Sequence, residues 1–217
     1  MKIKNIRGFI SRNSAENHSK SKCKQKKEKN ILSVYFGVPG SGKTTFATHL
    51  ARKDLKRKRK VYSNVPITGT YAVNCKEDLG VYDISNGRLI IDEAGIEFNN
   101  RDFKKFSDDA LYFFKYHRHY RVQIDVFSQG FDDMDKKIRT LAQELYVVKK
   151  SLIPFFVVAI PIGKRIGINE MSKDIIDEYF FYSWFTFKRK YCFMPLTWKY
   201  FNSYSHKELK SKDFPLW

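Results

Sequence analysis

Residues 37 to 44 read GVPGSGKT and fit the spacing G-x-x-x-x-G-K-[ST]. Gly37, Gly40 and Gly42 let the backbone curl until its N–H groups face an anion. A strand-like run, ILSVYF, precedes the loop and a helical run, FATHLARKDL, follows it, so a helix N-terminus adds partial positive charge. Lys43 suits β- and γ-phosphates, and the Thr44 hydroxyl suits Mg²⁺. The candidate nucleotide-binding set is Gly37, Val38, Pro39, Gly40, Ser41, Gly42, Lys43, Thr44 and Thr45, with ATP and Mg²⁺ as the implied cofactors.

A second stretch, RLIIDE at residues 88 to 93, supplies the acids such a site needs. An apolar strand ends in Asp92, placed to act with Thr44 on the metal, and Glu93 follows as a candidate base for the attacking water. There is no N-K-x-D guanine motif, which argues against a GTPase. The acid pair points to the ATPase branch in which an extra strand lies between the P-loop strand and the Asp strand. VQIDVFSQ fits that extra strand, its end bringing Ser128 and Gln129 beside the γ-phosphate; Gln129 also reads as an ordinary strand-end polar residue.

Just before it stands His117-Arg118-His119. Two residues apart on a helix, the histidines face different sides and do not share a metal as an i, i+4 pair does. Two readings of Arg118 remain open: a basic helix end matched to the dipole, and an arginine finger reaching a neighbouring subunit's γ-phosphate.

These residues need a scaffold. Strands are expected at 31–36, 60–67, 88–92, 122–127 and 144–148, with helices after the P-loop, at 107–120 (Ser107 as N-cap) and at 132–143. Short apolar strands alternating with helices predict an α/β fold: a P-loop NTPase core, a mostly parallel sheet with helices on both faces. Three regions are expected: a flexible basic arm over 1–30, the ATPase domain over 31–150, and a C-terminal aromatic-rich β extension over 151–217.

In that extension LIPFFVVAIPIG (152–163) is too short and too proline-broken to span a bilayer and reads as a buried strand or loop-strand unit, so no transmembrane helix is predicted. The aromatic run at 179–201 is expected to be a hairpin. Trp184, Phe185, Phe187, Tyr191, Phe193 and Trp198 interleave there with basic residues. They suit a core-packed face, a stacking platform for single strands, an oligomer interface or a membrane-surface anchor.

The formal net charge is +18, which favours nucleic acid or an acidic membrane surface as partner. Seven basic residues and one acid fill ARKDLKRKRK (51–60), about 15 to 25 Å along the helix from the phosphates and so outside the nucleotide site. Cys23, Cys75 and Cys192 form no C-x-x-C pair, which removes a zinc knuckle or disulfide framework and suits a reducing cytosol.

Taken together, GVPGSGKTT, VYSNVPI, LIIDEAGIEFNNR and HRHYRVQIDVFSQ resemble the zonula occludens toxin (Zot)-like ATPases, which include the gene I assembly proteins of filamentous phages. The resemblance spans about residues 31 to 150 and includes Arg101. It implies an oligomeric ATPase that moves, packages or extrudes single-stranded DNA in phage assembly, in the host cytoplasm, with peripheral contact to the inner membrane or a membrane partner. The matching positions are Gly37 to Thr45, Asp92, Glu93, His117, Arg118, His119 and Gln129. A non-catalytic, nucleotide-gated scaffold and a P-loop kinase for small molecules are the alternatives.

Overall fold

In the computed structural model the described residues are 30–98, 108–130, 133–134, 136–168, 175–181 and 189–201. The basic arm through residue 29, Arg101, Ser107, Trp184, Phe185 and Phe187 lie outside them. The elements are β1 Leu32–Phe36, α1 Lys43–Leu55, β2 Lys60–Ser63, β3 Tyr71–Ala72, β4 Gly87–Ile91, α2 Ala94–Glu97, α3 Asp108–Tyr116, β5 Gln123–Ser128, α4 Lys136–Leu141, β6 Glu144–Lys150, β7 Phe156–Ile168, β8 Ile175–Phe181 and β9 Lys190–Phe193. Two single-turn 3-10 helices follow, Met194–Leu196 and Trp198–Tyr200.

The strands form one sheet in the order β3-β2-β4-β5-β1-β6-β7-β8, with β9 also on β7. From β3 to β6 every pairing is parallel; β7 pairs antiparallel with β6. β5 lies between β1 and β4, the order expected of the ATPase branch.

Strand alternation divides the core in two. On one face Leu32, Val34, Leu89, Ile91, Ile124 and Val126 meet Phe113 and Phe114 of α3 and Ile138 of α4. On the other, Tyr35, Ile90, Phe127, Tyr146 and Val148 meet Phe46, Ala47, Leu50 and Ala51 of α1. With helices on both faces, each inner strand is apolar throughout, which is why these strands read as continuous runs. The exception is a buried ion network under α1. Arg88 donates to Asp125, to Asp54 (2.7 Å) and to Gln123 (3.0 Å). Burial opposes the Arg88 charge, but Asp125 and Asp54 more than offset this and push its pKa up.

Three expectations change. The helix expected over 107–120 ends at Tyr116: Arg121 takes φ 56° and Val122 N donates to His117 O (2.9 Å), closing a turn that leads into β5. The helix expected over 132–143 is described at Lys136–Leu141. The described parts of the aromatic run pair with β7 rather than with each other. β8 pairs with Ile162–Ile168 and β9 with Phe156–Ala159, both antiparallel to β7. Each takes a different part of the long β7. The 152–163 run enters this β7, paired to β6. Among the described residues no helix is long and apolar enough to cross a membrane.

Candidate functional site

The loop from β1 to α1 is wedged against its neighbours. Gly40 and Gly42 take φ 73° and 94°, in the left-handed region. A Cβ on Gly37 would stand 2.5 Å from Val148 O, and one on Gly42 would stand 2.6 Å from a Val157 methyl. No larger residue fits at either place. Lys43 Nζ donates to Gly37 O (2.8 Å) and Val38 O (3.1 Å), so its ammonium folds back over the loop. Burial lowers its pKa, opposed by Asp92 and Glu93.

The end of β4 meets the start of α1. Thr44 Oγ1 donates to Asp92 Oδ2 at 2.6 Å, and Glu93 N–H donates to Asp92 Oδ1 at 3.0 Å. Asp92 is buried, which raises its pKa; the Thr44 and Glu93 hydrogen bonds and the Lys43 charge work the other way. Asn64 holds this aspartate in register: its Nδ2 donates to Asp92 O and its Oδ1 accepts from Asp92 N, both at 2.8 Å. Asn64 was invisible as a site residue in sequence. It sits just past β2, inside the family-like VYSNVPI run, but no spacing rule marks an asparagine that grips the main chain of a neighbouring strand.

Glu93 is exposed and takes φ 53°, left-handed for a non-glycine residue. Such a conformation is held against a cost of about 1–3 kcal/mol and is found disproportionately where geometry serves a function. The register Phe36↔Ser128 puts Gln129, exposed, level with Gly37. Ser128 Oγ and Ser41 Oγ are buried and have no hydrogen-bond partner among the described residues. The P-loop, Asp92, Glu93 and Gln129 therefore lie at one end of the sheet.

These residues fit the implied cofactors. The left-handed glycines and the N-terminus of α1 make a phosphate cradle, and the unpartnered Ser41 hydroxyl stands inside it. The Thr44–Asp92 pair offers a hydroxyl ligand and an outer carboxylate for Mg²⁺, an ion that draws most of its ligands from phosphate and water.

The HRH stretch is not brought to this site. It precedes β5, and β5 runs parallel to β1, so about 20 Å of strand separates it from the P-loop in the same chain. His117 is buried, its Nδ1 2.7 Å from Phe114 O, and burial lowers its pKa. Arg118 and His119 are exposed.

Residues 74–157 match the model of the zonular occludens toxin (Zot) family. No curated protein matches the chain. Among solved structures, the N-terminal domain of zonular occludens toxin from Neisseria meningitidis is 18% identical, covering 69% of this chain and 93% of its own, with a TM-score of 0.44. The genome packaging NTPase B204 of Sulfolobus turreted icosahedral virus 2, in complex with ATP-gammaS, is 14% identical over 68% of this chain and 96% of its own, TM-score 0.45. The flagellar accessory protein FlaH of Methanocaldococcus jannaschii is 16% identical over 61% and 77%, TM-score 0.41. The matched segment begins after the P-loop, so the similarity to the Zot family over residues 74–157 and the phosphate cradle are separate observations, and together they support a P-loop ATPase similar to that family.

Proposed function

We propose that this ATPase is a motor of phage-type assembly that works as a homo-oligomer to move, package or extrude single-stranded DNA, at or near the cytoplasmic face of a host inner membrane. The observation that carries the reading is the Thr44–Asp92 hydrogen bond (2.6 Å), with Glu93 next in the chain and Lys43 folded over the same loop. Thr44 and Asp92 would hold Mg²⁺, which would supply charge neutralisation to the phosphates. Lys43 exchanges its two loop carbonyls for phosphate oxygen. Glu93 accepts the proton of the attacking water, and Gln129 holds that water in line. Asn64 fixes Asp92, and Asp92 fixes Thr44.

The net charge of +18 supports a polyanionic partner. A small-molecule kinase is less well supported, because β5 separates β1 from β4. The test is ATP hydrolysis by the purified full chain with and without single-stranded DNA, across a salt series. The reading expects stimulation by DNA that fades with salt. Hydrolysis indifferent to DNA at every salt concentration rules out the DNA motor while leaving the ATPase.

A further inference from the structure

Basic segments far apart in sequence meet at the end of the sheet opposite the P-loop. The starts of β1, β2, β4 and β5 align there because these strands are parallel: Lys60 pairs with Gly87, Arg88 with Gln123, and Leu32 with Ile124. Arg59 stitches the corner, its Nη2 donating to Gly87 O (3.0 Å) and to Asn30 Oδ1 (3.4 Å). Asn86 N then donates to Tyr120 O (3.0 Å), joining the β4 start to the turn that follows α3.

Lys56, Arg57, Lys58 and Lys60 from one side, and Arg118 and Arg121 from the other, are all exposed at this pole. Exposed Tyr120 and His119 stand among them. Asn30, which follows the Lys-rich stretch in sequence, is held at the same corner by Arg59. Of the nearby acids, Asp54 is buried and bound by Arg59 and Arg88, and Asp83 is exposed beside Ser85. The C-termini of α1 and α3 favour a cation or two each, but Lys60 and Arg121 lie beyond both helices.

We propose that this basic pole is the docking surface for the phosphate backbone of single-stranded DNA, with Arg118 one of its contacts. The inference rests on the DNA-motor reading and says where on the molecule the strand lies. A polyanion fits better than a lipid surface because, among the described residues, the exposed side chains of the pole are charged or polar-aromatic, with no large aliphatic residue. The pole also explains why the HRH stretch sits so far from the phosphates: its arginine contacts nucleic acid rather than ATP.

The experiment compares two quadruple variants of equal net charge, using anisotropy of a labelled oligothymidylate over a salt series. One is Lys56→Glu/Lys58→Glu/Lys60→Glu/Arg121→Glu at the pole. The other is Lys76→Glu/Lys149→Glu/Lys150→Glu/Lys164→Glu elsewhere. The pole variant is expected to bind DNA at least about 100-fold more weakly, with a salt slope shallower by about 3, while the other stays near wild type. Arg118→Gln, a milder change, is expected to lower the slope by about 0.7. Far-ultraviolet circular dichroism and ATP binding establish that each variant is folded. Equal losses in both quadruple variants overturn the proposal, as does a pole variant that loses only binding to phosphatidylserine vesicles. A wild-type chain that binds no DNA overturns the DNA-motor reading itself.

Discussion

Asp92 is where the site's residues converge: Thr44 from α1, Asn64 from the end of β2 and the Glu93 amide all bond to it. Asn64→Ala removes both bonds to the Asp92 main chain. It is expected to cost about 1–3 kcal/mol of stability by denaturant titration and to weaken Mg²⁺-dependent ATP binding in the same protein. Burial also raises the Asp92 pKa, so its folded carboxyl takes up a proton at a higher pH than the ordinary value of about 3.9. Mg²⁺-dependent ATP affinity is therefore expected to fall on acidification earlier than an exposed aspartate would allow, measurable by titration calorimetry at decreasing pH. Glu93, the proposed base, holds a left-handed backbone conformation. Glu93→Gly relieves the positive φ and is expected to leave the melting temperature unchanged or higher while turnover is lost. That the glycines, Lys43, Thr44, Asp92 and Glu93 come together was legible from a glycine loop between a strand and a helix and an acid pair ending a second apolar strand. Asn64 was not, because its partner is 28 positions away and is backbone.

At the scale of elements, the inner strands could be read from their apolar runs, since both sheet faces are covered. The ends of elements could not. α3 stops at Tyr116 because His117 turns inward and is buried, a tertiary preference that helical periodicity does not carry. Burial lowers the pKa of His117, and also of His49 with help from Lys53 and Arg52. A histidine with a lowered folded pKa stays neutral in the fold while the unfolded chain protonates near pH 6.5. Stability is thus full above about pH 6.5 and falls as the pH drops below it. Melting temperatures between pH 7 and 5 are expected to show that loss, and a smaller one in His117→Gln. The Arg88 network gives a sharper test of packing. Arg88→Met leaves Asp54 and Asp125 buried without their shared cation and is expected to cost about 3–5 kcal/mol.

For the molecule as a whole, sequence conveyed that the chain is basic but not that its charge is polar in the geometric sense. ARKDLKRKRK and HRHYR are some 60 residues apart, and only the parallel alignment of β2, β4 and β5 brings them to one end. That arrangement leaves the P-loop at the opposite end of the same sheet, so α1 and β5 each span the distance between the candidate site and the basic pole. The described parts of the aromatic C-terminal run differ from expectation for a related reason: β8 and β9 both pair with β7, the strand that precedes them, rather than with each other. All of this depends on a site that turns over ATP instead of merely holding it. The most direct measurement is single-turnover hydrolysis of radiolabelled ATP by the wild type and by Glu93→Gln, with ATP affinity measured on both. The account expects equal binding, with hydrolysis in the variant slower by about 100-fold or more. Equal hydrolysis rates, or a wild type that binds ATP and never cleaves it under any DNA or salt condition, would contradict it and leave a nucleotide-gated scaffold.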